Sequence, residues 1–276
     1  MDVLAQLEER YNGSKGEAFL LNYGHYSVHI AVAYVVIIFS IQRWMRDREK
    51  YNLRTPLFLW SLTLALFSMA TTVMFNPKLL QYTYNHGFER ITCDCVLYDD
   101  PRTAVWAFMF TMAKVVELGD TLFIVLRKQK LLFLHWYHHI SVMYYGGNLS
   151  YGHRICSAQS FMAINCFVHS IMYTYYAIRA SGRYRPPIWV NMGITLLQLS
   201  QMIVGTYVNL YIYYRMTADP SWSCDGKVEK MHYFVYASLA MYASYFVLFA
   251  HFFYNSYINK KGEKTSVKRS GEYKQE

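Results

Sequence analysis

Charge is scarce in this chain. Acidic and basic residues together fill only 16% of its 276 positions, against about a quarter in an ordinary soluble domain. Cysteine is scarce as well: the five present are scattered and form no Cys-x-x-Cys pair, so neither a disulfide framework nor a zinc site is expected. The first 24 residues are mixed and polar, without a short apolar core or cleavage signal. A removable signal peptide is therefore not expected, and the first spanning helix serves as the targeting element. No linker, low-complexity run, internal repeat or dinucleotide fingerprint is present. With 54% hydrophobic and 18% aromatic residues, the composition argues against a disordered chain, a soluble enzyme and a disulfide-rich secreted module.

The mean hydropathy is only just positive, at +0.07, because the apolar residues come in blocks of about twenty, the length needed to cross a bilayer core as a helix. Seven such blocks, near 26–41, 56–75, 103–126, 131–150, 158–178, 187–213 and 233–257, predict an all-α polytopic membrane protein with seven transmembrane helices. The third is the weakest, being interrupted by Lys114, Glu117 and Asp120. Three regions follow: an N-terminal segment 1–25, one membrane domain 26–258 and a basic tail 259–276.

The formal charge of +9 fits this plan without nucleic acid. Alternate connections hold 17 of the 27 Lys and Arg residues on one side, in 42–55, 127–130, 179–186 and the tail, against nine on the other. The excess predicts a cytosolic C-terminus and a lumenal N-terminus. Asn12-Gly-Ser14 is a formal glycosylation acceptor on the lumenal side. Asn148-Leu-Ser150 is another, too close to the bilayer to be used. Cys93, Cys95 and Cys224 fall in lumenal loops, where a bridge from Cys93 or Cys95 to Cys224 would tie the loops together; free thiols are the other reading.

Ionisable groups are costly inside a membrane helix and face a bundle interior or an aqueous cavity. Here they cluster. The third block carries Lys114-x-x-Glu117-x-x-Asp120-Thr121, spaced for one helical face. The fourth carries His135-Trp136-Tyr137-His138-His139. The fifth carries Asn165, His169 and Tyr173 in one row, and the sixth carries Thr195-x-x-Gln198-x-x-Gln201. At roughly 1.5 Å per residue, these groups all lie about 6–16 Å below the cytosolic surface. Structural readings exist for each: an ion pair, a core histidine, interhelical hydrogen bonding. Two chemistries suit the histidine triplet. His-x-x-His-His resembles one box of membrane di-iron oxygenases, but the other histidines are isolated and mostly near the lumenal side, so a full iron shell cannot be assembled. Alternatively, an imidazole attacks a thioester as nucleophile, with neighbours setting its tautomer and donors stabilising the oxyanion. A seven-helix receptor or transporter is the other class with this plan; a polar cluster near the cytosolic face argues against it.

Taken together, Lys114–Glu117–Asp120–Thr121, the box from His135 to His139, NCFVHSIMYTYY from Asn165 and TLLQLSQ from Thr195 resemble, in order and separation, the very-long-chain fatty acid elongases, 3-ketoacyl-CoA synthases of the endoplasmic reticulum. The resemblance covers roughly residues 30–258. LRKQKLLFLHWYHH, at 126–139, looks like the branch acting on saturated and monounsaturated acyl-CoAs. The resemblance implies six helices around a closed-ended acyl tunnel with the seventh outside. It implies condensation of acyl-CoA with malonyl-CoA to 3-ketoacyl-CoA, CoA and carbon dioxide, with His138 acylated first. His135, His139 and His169 would orient imidazole, move protons or stabilise the enolate. Asn165, Gln198 and Gln201 would position carbonyls, Tyr173 continues that substrate-facing row, and Lys114, Glu117 and Asp120 would hold the polar core and contact substrate. No bound cofactor or metal is expected. The bilayer, the ketoacyl reductase, dehydratase and enoyl reductase of the cycle, and a second copy of the chain are the expected partners. Many members end in two lysines third and fourth from the end; here Lys274 is third but Tyr273 is fourth, so retention is expected from family and topology.

Overall fold

The computed structural model describes residues 13–219 and 228–259. The acceptor Asn12, Cys224 and the tail from 260 onward lie outside them. The described residues form helices and turns, with no strand among them. In chain order the longer helices are α1 (Gly13–Tyr23), α2 (Tyr26–Trp44), α3 (Arg54–Cys93), α4 (Pro101–Val116), α5 (Asp120–Leu126), α6 (Phe133–Met143), α7 (Ala158–Ser181), α8 (Ile188–Ala218) and α9 (Val228–Phe253), with a single helical turn, Val96–Asp99, before α4 and a π-helical end, Tyr254–Asn259, after α9. A 3₁₀ turn, Glu117–Gly119, separates α4 from α5, and a π-helical segment, Tyr144–Tyr151, continues α6.

Local chemistry sets several of these limits. Asp100 accepts a hydrogen bond from the Arg102 backbone N–H at 2.9 Å, and Pro101 opens α4, where its missing N–H costs nothing. Burial alone would raise the Asp100 carboxyl, but contacts with Lys78 and Arg102 offset it and hold the group below the ordinary carboxylate range. Gly182 ends α7 in the left-handed region, at φ 71°. The 40 residues of α3 would span about 60 Å, twice a bilayer core, and the helix breaks at Gly87, whose φ of 86° and ψ of 167° are not helical.

Four stretches, Tyr26–Trp44, Arg54–Cys93, Ile188–Ala218 and His232–Asn259, are long and apolar enough to cross a membrane. Their outer faces are apolar and bare: Val32 and Val36 on α2, Val73 on α3, Ile203 and Tyr207 on α8, and Val247 on α9 are all exposed. So much exposed apolar surface is stable only against lipid. Helices α4 to α7, with the turn between α4 and α5, fall short of that test and hold Lys114, Glu117, Asp120, His135, His138, His139 and His169. Lys114, Glu117, His139 and His169 are turned into the protein and buried.

Helix α1 was not foreseen in the sequence. It belongs to the body: Leu20 is buried, and Gly152 packs so closely on the Leu20 backbone that an added Cβ would sit 3.4 Å away. Glu17 holds Arg154 at 2.6 Å, and Arg154 also meets Asp99. At this end Cys95 is bridged to Cys156, which corrects the alternative pairing of Cys95 with Cys224. The cause is the return of the chain after the π-helical segment, which carries Cys156 to the turn after α3. The fully buried Gln159 knits the same turn, donating to Ile91 and Asp94 carbonyls at 3.0 and 2.6 Å and accepting from Leu97 N–H at 3.0 Å. Cys93 is also disulfide-bonded.

Helices α8 and α9 pack through Gly205, where an added Cβ would lie 2.1 Å from the Tyr242 ring. Tyr242 is itself buried. Gly205→Ala is therefore expected to destabilise the protein by about 1–3 kcal/mol through overpacking, read as a lower melting temperature in detergent. An unchanged melting temperature would mean that the ring moves freely.

Candidate active site

Lys114, on the last turn of α4, is only 3% exposed and Glu117 only 5%, so neither charge is met by water. The Lys114 ammonium donates to Glu117 Oε1 at 2.7 Å and to Asn165 Oδ1 at 2.9 Å, and lies 4.4 Å over the Phe110 ring. With its oxygen taken, Asn165 presents its NH₂ group to His169 Nε2 at 3.2 Å. Nε2 must then accept, which leaves the imidazole proton on Nδ1, facing Glu117 Oε1 at 3.7 Å. Four groups from α4, the 3₁₀ turn and α7 thus close a ring that fixes the His169 tautomer.

The 3₁₀ turn redirects the next carboxylate. Asp120 accepts from Trp60 Nε1 at 2.6 Å and from the Tyr173 hydroxyl at 2.7 Å, and stands 4.0 Å from His139 Nε2. Gly119 makes this possible, because any Cβ there would come within 2.7 Å of the Trp60 indole. His135 Nε2 lies 3.0 Å from the Thr121 hydroxyl, which also meets the Tyr34 hydroxyl. His135 and His139 lie one turn apart on α6, their ring centroids 4.5 Å apart.

His138 differs from the other three. Its ring contacts are with Tyr245 at 4.9 Å, His139 at 5.6 Å and Phe249 at 6.4 Å. Among the described residues nothing hydrogen-bonds its ring nitrogens, although Ser141 and Tyr245 donate to its backbone carbonyl. It borders two cavities. One, of about 170 Å³, gathers Asp120, His135, His139, His169, Tyr173 and Gln198 among apolar neighbours such as Phe249. The second, of about 70 Å³, is walled by apolar groups such as Phe110, Phe161 and Met162. His138, Asn165, Gln201 and Met202 line both.

Comparison with known proteins gives this arrangement a family. Residues 19–265 match the ELO family, described as GNS1/SUR4. The chain is 39% identical over 262 residues to very long chain fatty acid elongase 6 of Gallus gallus, covering 95% of this chain and 96% of that one. It is 40% identical over 233 residues to the Drosophila melanogaster protein of the same name, covering 84% and 72%. It is 38% identical over 248 residues to very long chain fatty acid elongase 3 of Mus musculus, covering 90% and 88%. The chain belongs to the ELO family. It is an enzyme of fatty acid elongation, and that decides against the receptor, transporter and oxygenase readings.

Of the residues singled out from the sequence, the elongase brings Asp120, His135, His138, His139, Asn165, His169, Tyr173, Gln198 and Gln201 to these cavities. Lys114 and Glu117 stand behind the lining. Thr195 turns away, bonding the Asn191 carbonyl at 3.0 Å and the Tyr257 hydroxyl at 3.3 Å. Gln198 donates to the Met172 sulfur at 3.2 Å. Trp60, Tyr34, Tyr245 and Phe249 were missed, since each comes from a distant helix with no motif of its own. Ser141 was within reach, three residues past His138 on the same helix. No three His, Cys, Asp or Glu side chains among the described residues are grouped as a metal ion would require.

Proposed function

We propose that this elongase condenses a long-chain saturated or monounsaturated acyl-CoA with malonyl-CoA at His138. The observation that carries the reading is that His138 is the box histidine that borders both cavities, with no hydroxyl or carboxylate as near its ring nitrogens as Thr121 is to His135 or Asp120 to His139. A ring nitrogen attacks the thioester carbonyl. The C–S bond breaks, CoA departs with the imidazole proton, and an acyl-imidazole remains. Malonyl-CoA then loses carbon dioxide, and the resulting enolate carbon attacks the acyl-imidazole. The C–N bond breaks, releasing 3-ketoacyl-CoA two carbons longer, and the imidazole regains a proton, so one proton is taken up overall. No bound cofactor takes part. Gln201, whose amide has no hydrogen-bond partner among the described residues, and the second N–H of Asn165 are placed to meet the oxyanion. His169 and His139, held by Glu117 and Asp120, serve the proton steps. Apolar walls keep water from the acyl-imidazole.

In this reading the chain spans the membrane seven times, in one domain at 26–258, with six helices around the acyl channel. The N-terminus is lumenal and the basic tail lies in the cytosol of an endoplasmic reticulum membrane. The reductases and dehydratase act on the released product, and a second copy of the chain is a further partner in this reading. The test is the intact mass of purified enzyme given acyl-CoA without malonyl-CoA. An acyl adduct is expected, mapping to His138 and discharged by malonyl-CoA with release of carbon dioxide. An adduct that maps elsewhere, or no carbon dioxide, overturns the reading.

A further inference from the structure

A groove of about 470 Å³ runs along the outside of the bundle between α3 and α7, away from the histidines. Its origin is a mismatch of side-chain sizes. On α7 the row along the groove floor is small, with Thr174, Ala177 and Ala180 spaced three apart and the two alanines buried, while α3 contributes larger apolar groups such as Leu66 and Met69 along the exposed edge. Small residues facing large ones leave a furrow, and nothing among the described residues fills it: Leu66 and Met69 remain exposed. From Arg54 to Met69 it extends about 22 Å along α3, enough for the depth of one leaflet of a core of about 30 Å.

One end of this apolar groove is basic. Arg54, at the first residue of α3, and Arg183, just past α7, both line it, and both are exposed. Neither guanidinium has a carboxylate partner among the described residues, whereas Arg154 and Arg215 do. Arg54 is placed by the turn that ends α7. Gly182 adopts φ 71° there, and an added Cβ would fall 2.9 Å from the Arg54 Nη1 atom. The guanidinium therefore rests against the bare backbone of the turn, where the carbonyl end of the α7 dipole favours a cation.

We propose that the groove is a binding site for an anionic phospholipid, with its phosphate between Arg54 and Arg183 and one acyl chain in the furrow between α3 and α7. The charge of the mouth and the apolar length behind it match that molecule and no zwitterionic one equally well. Basic pockets between membrane helices on one side of a bilayer take anionic headgroups in this way.

The experiment uses the full chain, purified and reconstituted in discs containing equal phosphatidylglycerol and phosphatidylcholine, with retained lipid counted by native mass spectrometry after detergent release. A preference of roughly tenfold for phosphatidylglycerol is expected. It should be lost in Arg54→Gln/Arg183→Gln and kept in Arg54→Lys/Arg183→Lys. Thr174→Trp, at a partly exposed position of the lining, should remove retained lipid of both kinds by filling the furrow, which provides a second route should the glutamine variant fail to fold. Equal retention of both lipids by the parent chain, or a preference unaltered by both the glutamine and tryptophan variants, overturns the proposal. Displacement of phosphatidylglycerol by palmitoyl-CoA at equal concentration would also overturn it, since the groove would then be a site for the CoA ester.

Discussion

His138→Ala should abolish condensation while leaving the fold intact. Among the described residues no hydroxyl, amide or carboxylate hydrogen-bonds the His138 imidazole, so its removal breaks no hydrogen bond to the ring and leaves no partner stranded. It costs a ring contact with Tyr245 but no buried charge. The chemical consequence is total for the covalent route, because no second nucleophile borders both cavities. Turnover measured as 3-ketoacyl-CoA formed should fall by at least about 10³-fold, as expected when a covalent catalyst is deleted. His135→Ala should fall less, by roughly 10- to 100-fold, because that ring acts through Thr121 and through its neighbour His139. A His138→Ala enzyme retaining a tenth of parent turnover would move the nucleophile elsewhere.

Lys114→Met should have the largest effect on stability. The ammonium compensates the buried Glu117 carboxylate and occupies the Asn165 oxygen. Deleting one partner of a buried ion pair leaves a desolvated charge behind, at a cost of about 3–5 kcal/mol. The melting temperature should fall by roughly 10 °C, and activity should fall with it because the His169 tautomer is no longer fixed. Lys114→Met/Glu117→Leu removes both charges and should recover part of the stability but not the activity. Were the single variant to melt like the parent, Glu117 would have to be protonated or reached by water.

Much of this site could be read from spacing within single helices. Asn165, His169 and Tyr173 do form one row, and the depth argument brought α5, α6, α7 and α8 to one level, where their polar groups line a shared cavity. What spacing could not show is how each group is held. Lys114, Glu117 and Asp120 look like one face of one helix, yet the 3₁₀ turn divides them: the first two serve His169, and the third turns to Trp60 and Tyr173. The cause, an indole pressed against Gly119, joins residues about sixty positions apart. The same holds for Tyr34 with Thr121 and for Cys95 with Cys156. Helix α1 escaped notice because its apolar residues are few, and its burial depends on a loop, near Gly152, that hydropathy treats as solvent-facing.

The four apolar stretches that can enter lipid unaided lie two near the start of the described chain and two at its end. A ribosome delivers the histidine-bearing segments before α8 and α9 exist. The partners that hold Lys114, Glu117, Asp120, His135 and His169 all precede α8, so that polar network is complete in the earlier part of the chain. The cavity is not: Gln198, Gln201, Met202 and Phe249 close its wall only when the last two helices arrive.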